Sequence, residues 1–481
     1  MRRRCEVLIV GSGPGGAACA EVLAGAGLDV LILDAGPSFP PSERPAFSLG
    51  EMVDKYWNRG VTFTLGSPVI AYALGRCVGG GSEVNNGEFI SVPKAVLESW
   101  RANFGVDVSD DEIDEGFRYF AKRLHAVVED EDLPAAAFLR DGATRLGWRV
   151  EDVLRCHRPS GESVTTRKGL LSEAIRSGAN VVADSQVLTL ERNGTGWRAE
   201  VQQAGAPCEI KADQVFVCAG AIESAALLQR SGHKTAGRGF QCQPMLKLTA
   251  EAGVEINDDL ARIPSLQVKQ FAPELTFGCS VSRLPFLVNN LSAQIDDHEM
   301  LKANWKRFSS YYVMLAPRAT GRVTRSRLDG RSLVRYRLGR DDLSSLARGM
   351  HQLGRLLFEA GARRVLPSVD DRRWIFESAE ALKRAKRLPR SKAQLTAVHL
   401  SSTCRMGSDP RRCVVDDSGR VFGANGMYVA DASVLPTAPS VNPQATILTL
   451  ARRIAERALL RHQTQSRRQK KQPQKLLAAV E

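Results

Sequence analysis

Val7-Leu8-Ile9-Val10-Gly11-Ser12-Gly13-Pro14-Gly15-Gly16, followed at a short distance by Val30-Leu31-Ile32-Leu33-Asp34, is the stretch that decides the fold. Four consecutive apolar residues read as a short strand covered on both faces. The glycines come directly after it, and Gly15 to Ala26 reads as a helix with Val22 and Leu23 on its apolar side. A second wholly apolar strand then ends on an acidic residue. Strand, glycine-rich turn, helix and strand together make a Rossmann-type unit. Within G-x-G-x-x-G, Gly11 makes the tight turn, Gly13 lets the backbone approach a pyrophosphate, and Gly16 allows close helix packing. The helix N-terminus offers unpaired N–H groups and partial positive charge to phosphates, and Asp34 can accept from a ribose hydroxyl. The motif alone does not separate FAD from NAD.

Working outward, the buried-strand pattern returns twice, as Val215-Phe216-Val217-Cys218 before Ala219-Gly220 and as Met427-Tyr428-Val429-Ala430 before Asp431. A different texture lies between them. Gly321 to Leu338 reads as a hairpin, with Asp329-Gly330 suited to a type I′ turn. Leu343, Leu346, Met350, Leu353 and Leu357 then fall at helical spacing, with His351 on the polar side and expected to be exposed. These patterns predict an α/β dinucleotide-binding, Rossmann-type domain plus an α+β substrate domain with an antiparallel sheet. The first is built from the separated segments 1–98, 160–245 and 396–462, and the second from 99–159 and 246–395.

A chain of 481 residues, 43% hydrophobic and 25% charged, is long enough for two domains around large cores. Its apolar runs are about four residues long, far short of the ~20 that a membrane span needs. Met1-Arg2-Arg3-Arg4 could open a signal peptide, but the apolar run behind it is cut off by the glycines. It reads instead as the first strand, which predicts a cytoplasmic protein. Ten cysteines, at 5, 19, 77, 156, 208, 218, 242, 279, 404 and 413, show no metal-type spacing, so they read as small apolar residues and no metal site is expected. Much of the net charge of +13 sits at the chain ends, including Arg467, Arg468, Lys470, Lys471 and Lys475. The polar stretch 463–481 is expected to be a disordered basic tail. Lys383, Arg384, Lys386, Arg387, Arg390 and Lys392 read as a solvated helix face running into a loop. No aromatics interleave with these charges, which argues against a nucleic-acid partner.

Three further stretches carry chemistry. Gly75-Arg76-Cys77-Val78-Gly79-Gly80-Gly81-Ser82-Glu83-Val84-Asn85-Asn86-Gly87 lets backbone lie flat against a planar or phosphorylated ligand. His399-Leu400-Ser401-Ser402-Thr403-Cys404-Arg405-Met406-Gly407 and Val441-Asn442-Pro443-Gln444-Ala445-Thr446 flank Tyr428-Val429-Ala430-Asp431-Ala432-Ser433. With these, and with Gly220-Ala221-Ile222-Glu223-Ser224, the chain resembles the glucose–methanol–choline (GMC) oxidoreductases, FAD enzymes that oxidise alcohols. The likeness runs from about residue 5 to about 462 and is weakest in the inserted domain.

The resemblance implies FAD as cofactor, held by Gly11, Ser12, Gly13, Pro14, Gly15 and Gly16, with Asp34 and Ala35 at the adenosine ribose, where relatives often carry Glu. Val187, Ala219 and Gly220 would lie near the adenosine half. Arg76, Val78, Gly79, Gly80, Gly81, Ser82, Asn85, Asn86 and Gly87 would run along the pyrophosphate and isoalloxazine. Asp431, Ala432, Asn442, Pro443 and Thr446 would complete the site. Some relatives attach flavin through a His in the glycine-rich loop. Val84 stands at that position, so non-covalent FAD is expected. Gln243-Pro244 replaces the His-Pro of many relatives.

Alcohol oxidation needs a group that removes the hydroxyl proton as hydride leaves carbon, and a neutral His suits that task near pH 7. The resemblance maps the catalytic His onto His399 and its partner onto Asn442, whose amide could hold the substrate oxygen. Asn442 also reads as an N-cap with Pro443 as the first helical residue, and the choice between cap and substrate stays open. The expected partners are a small-molecule alcohol and an electron acceptor, oxygen or another. A sugar-like primary alcohol, such as the 6′-hydroxyl of an aminoglycoside precursor, is the substrate expectation. A long-chain or aromatic alcohol, or FAD-containing lyase chemistry on cyanohydrins, is the alternative.

Overall fold

The computed structural model describes residues 4–39, 48–128, 133–158, 162–258, 263–326 and 328–477. The quoted stretch forms strand Arg4–Val10, helix Pro14–Gly25 and strand Val30–Leu33, as its pattern predicts. Arg4–Val10 lies at the centre of a seven-stranded sheet, parallel to Val30–Leu33 on one side and to Ala206–Val217 on the other. Asn180–Val182 extends the parallel edge, and Met427–Val429 pairs in parallel with the end of Ala206–Val217. Ser185–Asn193, Gly196–Gln203 and Ala206–Val217 form an antiparallel meander within the same sheet. The first helix can press close because six of its eight buried residues are Gly or Ala, Gly15, Gly16, Ala17, Ala18, Ala20 and Ala24, beside Cys19 and Leu23.

A second sheet has eight strands. Its strands Ile70–Tyr72, Leu395–Ala397, Met245–Ala252, Phe308–Leu315, Leu275–Cys279, Leu266–Val268 and Val150–Asp152 follow in that order, and Ala362–Pro367 pairs with Met245–Ala252. Helix Arg340–Glu359 packs on one face; a Cβ on its Gly349 would lie 2.5 Å from Val313 and 3.3 Å from Leu275. That face carries Leu246, Leu248, Tyr311, Val313 and Phe277, all buried. The period of two in a strand puts Met245, Lys247, Tyr312, Met314, Thr276 and Gln267 on the other face.

Four local expectations need correction. Strands Gly321–Arg325 and Ser332–Arg335 do form a hairpin, and beyond them Ser326 N–H donates to the Arg331 carbonyl at 2.8 Å, so Asp329 and Gly330 alone do not make the connection. Gly330 has φ +71° while Asp329 is not among the positive-φ residues, so a two-residue type I′ turn is not formed. Ser326 organises the loop instead, its Oγ accepting from the Leu328 amide at 3.2 Å. Second, the basic 383–392 stretch follows a short helix, Ala379–Leu382, as turns and not as a helix face. Arg390 there donates to the carbonyls of Ser67 and Leu338. Third, His351 is half-buried, with Nε2 at 2.9 Å from the Ala385 carbonyl. Fourth, helix Gln444–Leu477 runs into the tail expected to be disordered. Gln, Arg and Lys propagate a helix well once a packed segment has nucleated it. Residues 478–481 lie outside the described ones.

The packed part of that last helix is clamped by Arg453, which is 6% exposed. Its Nε donates to Glu112 at 3.0 Å, and its other nitrogens donate to the carbonyls of Asp417 and Asp107. Arg453→Met would strip three acceptors of their donor at once. It is expected to lower unfolding free energy by about 3 kcal/mol, read as a shifted urea midpoint.

Candidate active site

Two glycine-rich segments meet over the C-terminal ends of the parallel strands, where open α/β sheets bind ligands. Gly11 has φ +98°, and a Cβ there would lie 2.4 Å from the Cys218 carbonyl oxygen. A Cβ on Gly15 would lie 1.9 Å from the Ala430 oxygen, and one on Gly16 2.0 Å from the Gly11 oxygen. These glycines seal the turn against its neighbouring strands. Gly13 differs: its nearest neighbour is Gly80 Cα at 3.9 Å, and Gly81 and Gly220 have nothing within 4 Å. Three glycines thus border open space. Gly13 opens the first helix with Pro14 at its start and no side-chain cap, leaving its first N–H groups for a ligand.

Two buried aspartates brace this cleft. Asp34 Oδ2 accepts from the Ser12 amide at 2.9 Å and the Ser12 hydroxyl at 2.6 Å, and Oδ1 accepts from Gly36 N–H at 2.8 Å. Ser12 Oγ in turn accepts from the Gly79 amide at 2.9 Å, tying one glycine-rich segment to the other. Burial pushes the Asp34 carboxyl up, opposed by the bonds from Ser12 and Gly36 and by Arg76. Any ribose contact falls to its remaining lone pairs. Asp431 repeats the device at the end of strand Met427–Val429. It accepts from Gly220 N–H at 2.8 Å, from the Ser224 hydroxyl and from Ser433 N–H at 2.8 Å, and burial raises its pKa.

The other expected contacts surround the same cleft or support it. Ala35 and Ala432 are half-buried beside the two aspartates. Arg76 is exposed, its guanidinium 5.2 Å from the centre of the Trp57 ring. Val78 is buried, and Ser82 Oγ donates to the Gly79 carbonyl at 2.9 Å. Asn85 Nδ2 donates to Gln444 Oε1 and Asn85 Oδ1 accepts from Gly87 N–H, joining the loop to the start of the last helix. Val187 is buried in strand Ser185–Asn193, its carbonyl 3.4 Å from Arg230 Nη2. Thr446 Oγ1 is buried without a hydrogen-bond partner among the described residues. Among those residues no group of three or more His, Cys, Asp or Glu is arranged to hold a metal ion.

His399 follows strand Leu395–Ala397 and is held through its backbone, its carbonyl accepting from Gln243 N–H at 3.1 Å. The ring is half-buried, its Nδ1 is enclosed without a partner, and burial pushes its pKa down to about 4. It is therefore neutral at pH 7. Asn442 does not cap the last helix: the Pro443 carbonyl accepts the first intrahelical bond, from Ile447 N–H at 2.9 Å. That shifts the cap one residue on. Asn442 Nδ2 instead donates to Glu88 Oε2 at 2.7 Å, and its Oδ1 accepts from Gln267 Nε2 at 3.1 Å.

The sheet face joins the two residues. Gln243 Nε2 lies 3.6 Å from Met314 Sδ, and Met314 follows by two residues, on the same sheet face, Tyr312, whose hydroxyl accepts from Gln267 Nε2 at 2.9 Å. Lys247 sits opposite Tyr312, half-buried, with no ion-pair partner among the described residues and its pKa lowered to about 8 by burial. Gln243 Oε1, Gln267 Oε1, Thr276 Oγ1 and Ser368 Oγ are buried in the same region without hydrogen-bond partners among the described residues. Sequence reasoning missed Glu88, Gln267, Lys247 and Tyr312. The last three lie on inserted-domain strands that carry no motif. Glu88 had a signal, an acidic residue directly between Gly87 and the apolar Phe89-Ile90.

Comparison with known proteins matches residues 4–67 to an FAD binding domain, and residues 52–245 and 317–451 to the two parts of the GMC oxidoreductase model. A GMC-type oxidoreductase of Sinorhizobium fredii is 34% identical over 98% of this chain and 97% of its own length. A long-chain-alcohol oxidase of Arabidopsis thaliana is 26% identical over 95% of this chain and 68% of its own. Among solved structures, pyridoxine 4-oxidase from Mesorbium loti superposes with a TM-score of 0.74 at 20% identity, covering 94% of this chain and 99% of that one. A fungal aryl-alcohol oxidase gives 0.68 at 16% identity, covering 96% and 100%.

Proposed function

The chain belongs to the GMC oxidoreductase family, and on that premise we propose that it oxidises the carbinol of a polar, sugar-like alcohol to a carbonyl, with His399 as base. The observation that carries this reading is His399 itself, a ring kept neutral by burial. It stands three residues before Ser402, whose N–H donates at 3.2 Å to the carbonyl of Ala432 beside a cleft whose open glycines, free helix N-terminus and unpartnered Thr446 suit FAD. Bound FAD supplies the hydride acceptor. Gly11 to Gly16, Asp34, Val78 to Gly87, Ala219, Gly220, Asp431, Ala432 and Thr446 are the residues that hold it. Val84 offers no nucleophile, which supports non-covalent attachment.

His399 takes the hydroxyl proton, for which a neutral imidazole is required. Asn442 keeps one N–H beyond its bond to Glu88 and can donate it to the substrate oxygen as negative charge develops there. The acid limb of kcat/KM is therefore expected at an apparent pKa of about 4, below the ~6.5 of an unperturbed His. Activity is full above it and falls as protonation removes the base; a limb near ~6.5 would contradict the burial argument.

The polar sheet face supports the substrate reading. An apolar chain laid against Lys247 Nζ, Ser368 Oγ and Gln267 Oε1 would leave each of these atoms unpaired, at a cost of about 1–3 kcal/mol apiece. The unpaired cation of Lys247 also favours a neutral or acidic sugar-like alcohol over a polycationic aminoglycoside precursor. The test is kcat/KM across sugar alcohols, aldonic acids, aromatic alcohols and long-chain alcohols, with oxygen and an artificial dye as acceptors. A preference for long-chain alcohols would overturn the polar reading. Cleavage of a cyanohydrin without flavin bleaching would favour the lyase chemistry.

A further inference from the structure

We propose that Glu88 is a positioning residue that sets the orientation of the Asn442 amide; this rests on the reading that Asn442 donates to the reacting oxygen. An asparagine side chain can turn over about its last bond, exchanging its N–H₂ and C=O ends. At Asn442 both ends are occupied by groups of opposite sense. Glu88 Oε2, a pure acceptor when ionised, takes an Nδ2 hydrogen at 2.7 Å, and Gln267 Nε2, a pure donor, meets Oδ1 at 3.1 Å. Turning the amide over would set carbonyl oxygen against carboxyl oxygen and N–H₂ against N–H₂. The second Nδ2 hydrogen is the one left uncommitted, so its direction follows from the Glu88 bond.

Glu88 is itself held firmly. It pairs with Arg155 across the strands Glu88–Phe89 and Leu154–Cys156 and is 8% exposed. Its Oε1 lies 3.4 Å from Asn86 Nδ2, and its Oε2 lies 3.3 Å from Gln267 Nε2. Lys269, buried nearby, and Arg155 act on it electrostatically, while desolvation pushes its pKa up. A carboxyl beside a developing alkoxide would oppose it if fully charged; burial and these two cations limit that effect. Glu88 thus acts through Asn442 and not on the substrate.

A double-mutant cycle tests this, with holoenzyme and the alcohol that bleaches wild-type flavin fastest, following anaerobic flavin reduction and steady-state kcat and KM. Glu88→Leu removes the acceptor and is expected to lower the reduction rate about 30- to 100-fold with KM changed less than threefold. Glu88→Gln keeps an acceptor oxygen and is expected to recover activity to within about threefold of wild type. Glu88→Leu combined with Asn442→Ala is expected to be no slower than Asn442→Ala alone. Additive effects, or a Glu88→Leu rate equal to wild type, overturn the proposal. An Asn442→Ala enzyme as fast as wild type instead overturns the underlying reading of the site. Flavin content and the unfolding midpoint are measured for each variant, and Glu88→Ala replaces Glu88→Leu in the cycle if the latter loses flavin.

Discussion

His399→Asn will fold, bind flavin and remain yellow, yet its flavin will be reduced by the best alcohol about 10²- to 10⁴-fold more slowly than in wild type. The size of the loss follows from the task. Removal of hydride leaves a protonated carbonyl unless the hydroxyl proton departs with it, and among the described residues at the cleft His399 is the neutral imidazole. The mildness of the structural effect follows from the geometry. His399 is anchored by its backbone to Gln243, and its buried Nδ1 makes no hydrogen bond that the substitution would break. Losing a solvated charge is not at issue either, because burial already holds the ring neutral. Unfolding midpoint and flavin-to-protein ratio are expected within error of wild type. Loss of flavin or of folding would make His399 a structural residue, and an unchanged reduction rate would remove it from catalysis.

The second large effect is expected at Gly13. Its backbone, φ −62° and ψ −175°, suits any residue, and a Cβ there would meet only Gly80 Cα at 3.9 Å. Gly13→Val should therefore cost the apoprotein about 1 kcal/mol, chiefly through a poorer helix cap. FAD affinity should fall at least ~100-fold, because the branched side chain fills the space through which a backbone approaches a pyrophosphate. Two companions sharpen the result. Gly15→Ala should fail to fold, since its methyl would lie 1.9 Å from the Ala430 oxygen, whereas Gly25→Ala, with nothing within 4 Å, should bind FAD normally. Normal flavin binding by Gly13→Val would place the cofactor elsewhere.

The first βαβ unit was legible because its information is local: apolar runs of strand length, glycines where backbones touch, and an acidic strand end. The return of the buried-strand pattern at Val215 and Met427 was legible for the same reason, and both segments do pair into the central sheet. Asp34 was found but only part of its work was visible. That it braces Ser12 and Gly36 depends on a turn geometry that spacing does not encode. The Asp329-Gly330 hairpin erred because turn chemistry specifies a two-residue loop only when the strands close directly on it, and here the last backbone bonds join Ser326 to Arg331 and Gly330. Asn442 looked equally fit for a cap or for substrate. Its partner, Glu88, is more than three hundred residues away in sequence, and Gln267 lies on a strand with no motif. Residues that meet across a sheet face leave no linear trace beyond alternation, so Lys247, Gln267 and Tyr312 became candidates only once the strands were in register.

The central claim, a flavoprotein that oxidises a polar alcohol at His399, is met most directly by an anaerobic absorbance spectrum of the purified protein before and after addition of sugar-like alcohols. The account predicts flavin bands near ~375 and ~450 nm that one such alcohol bleaches in wild type and not in His399→Asn. A colourless protein that cannot be reconstituted with FAD, or a flavin bleached equally fast in both proteins, would contradict it.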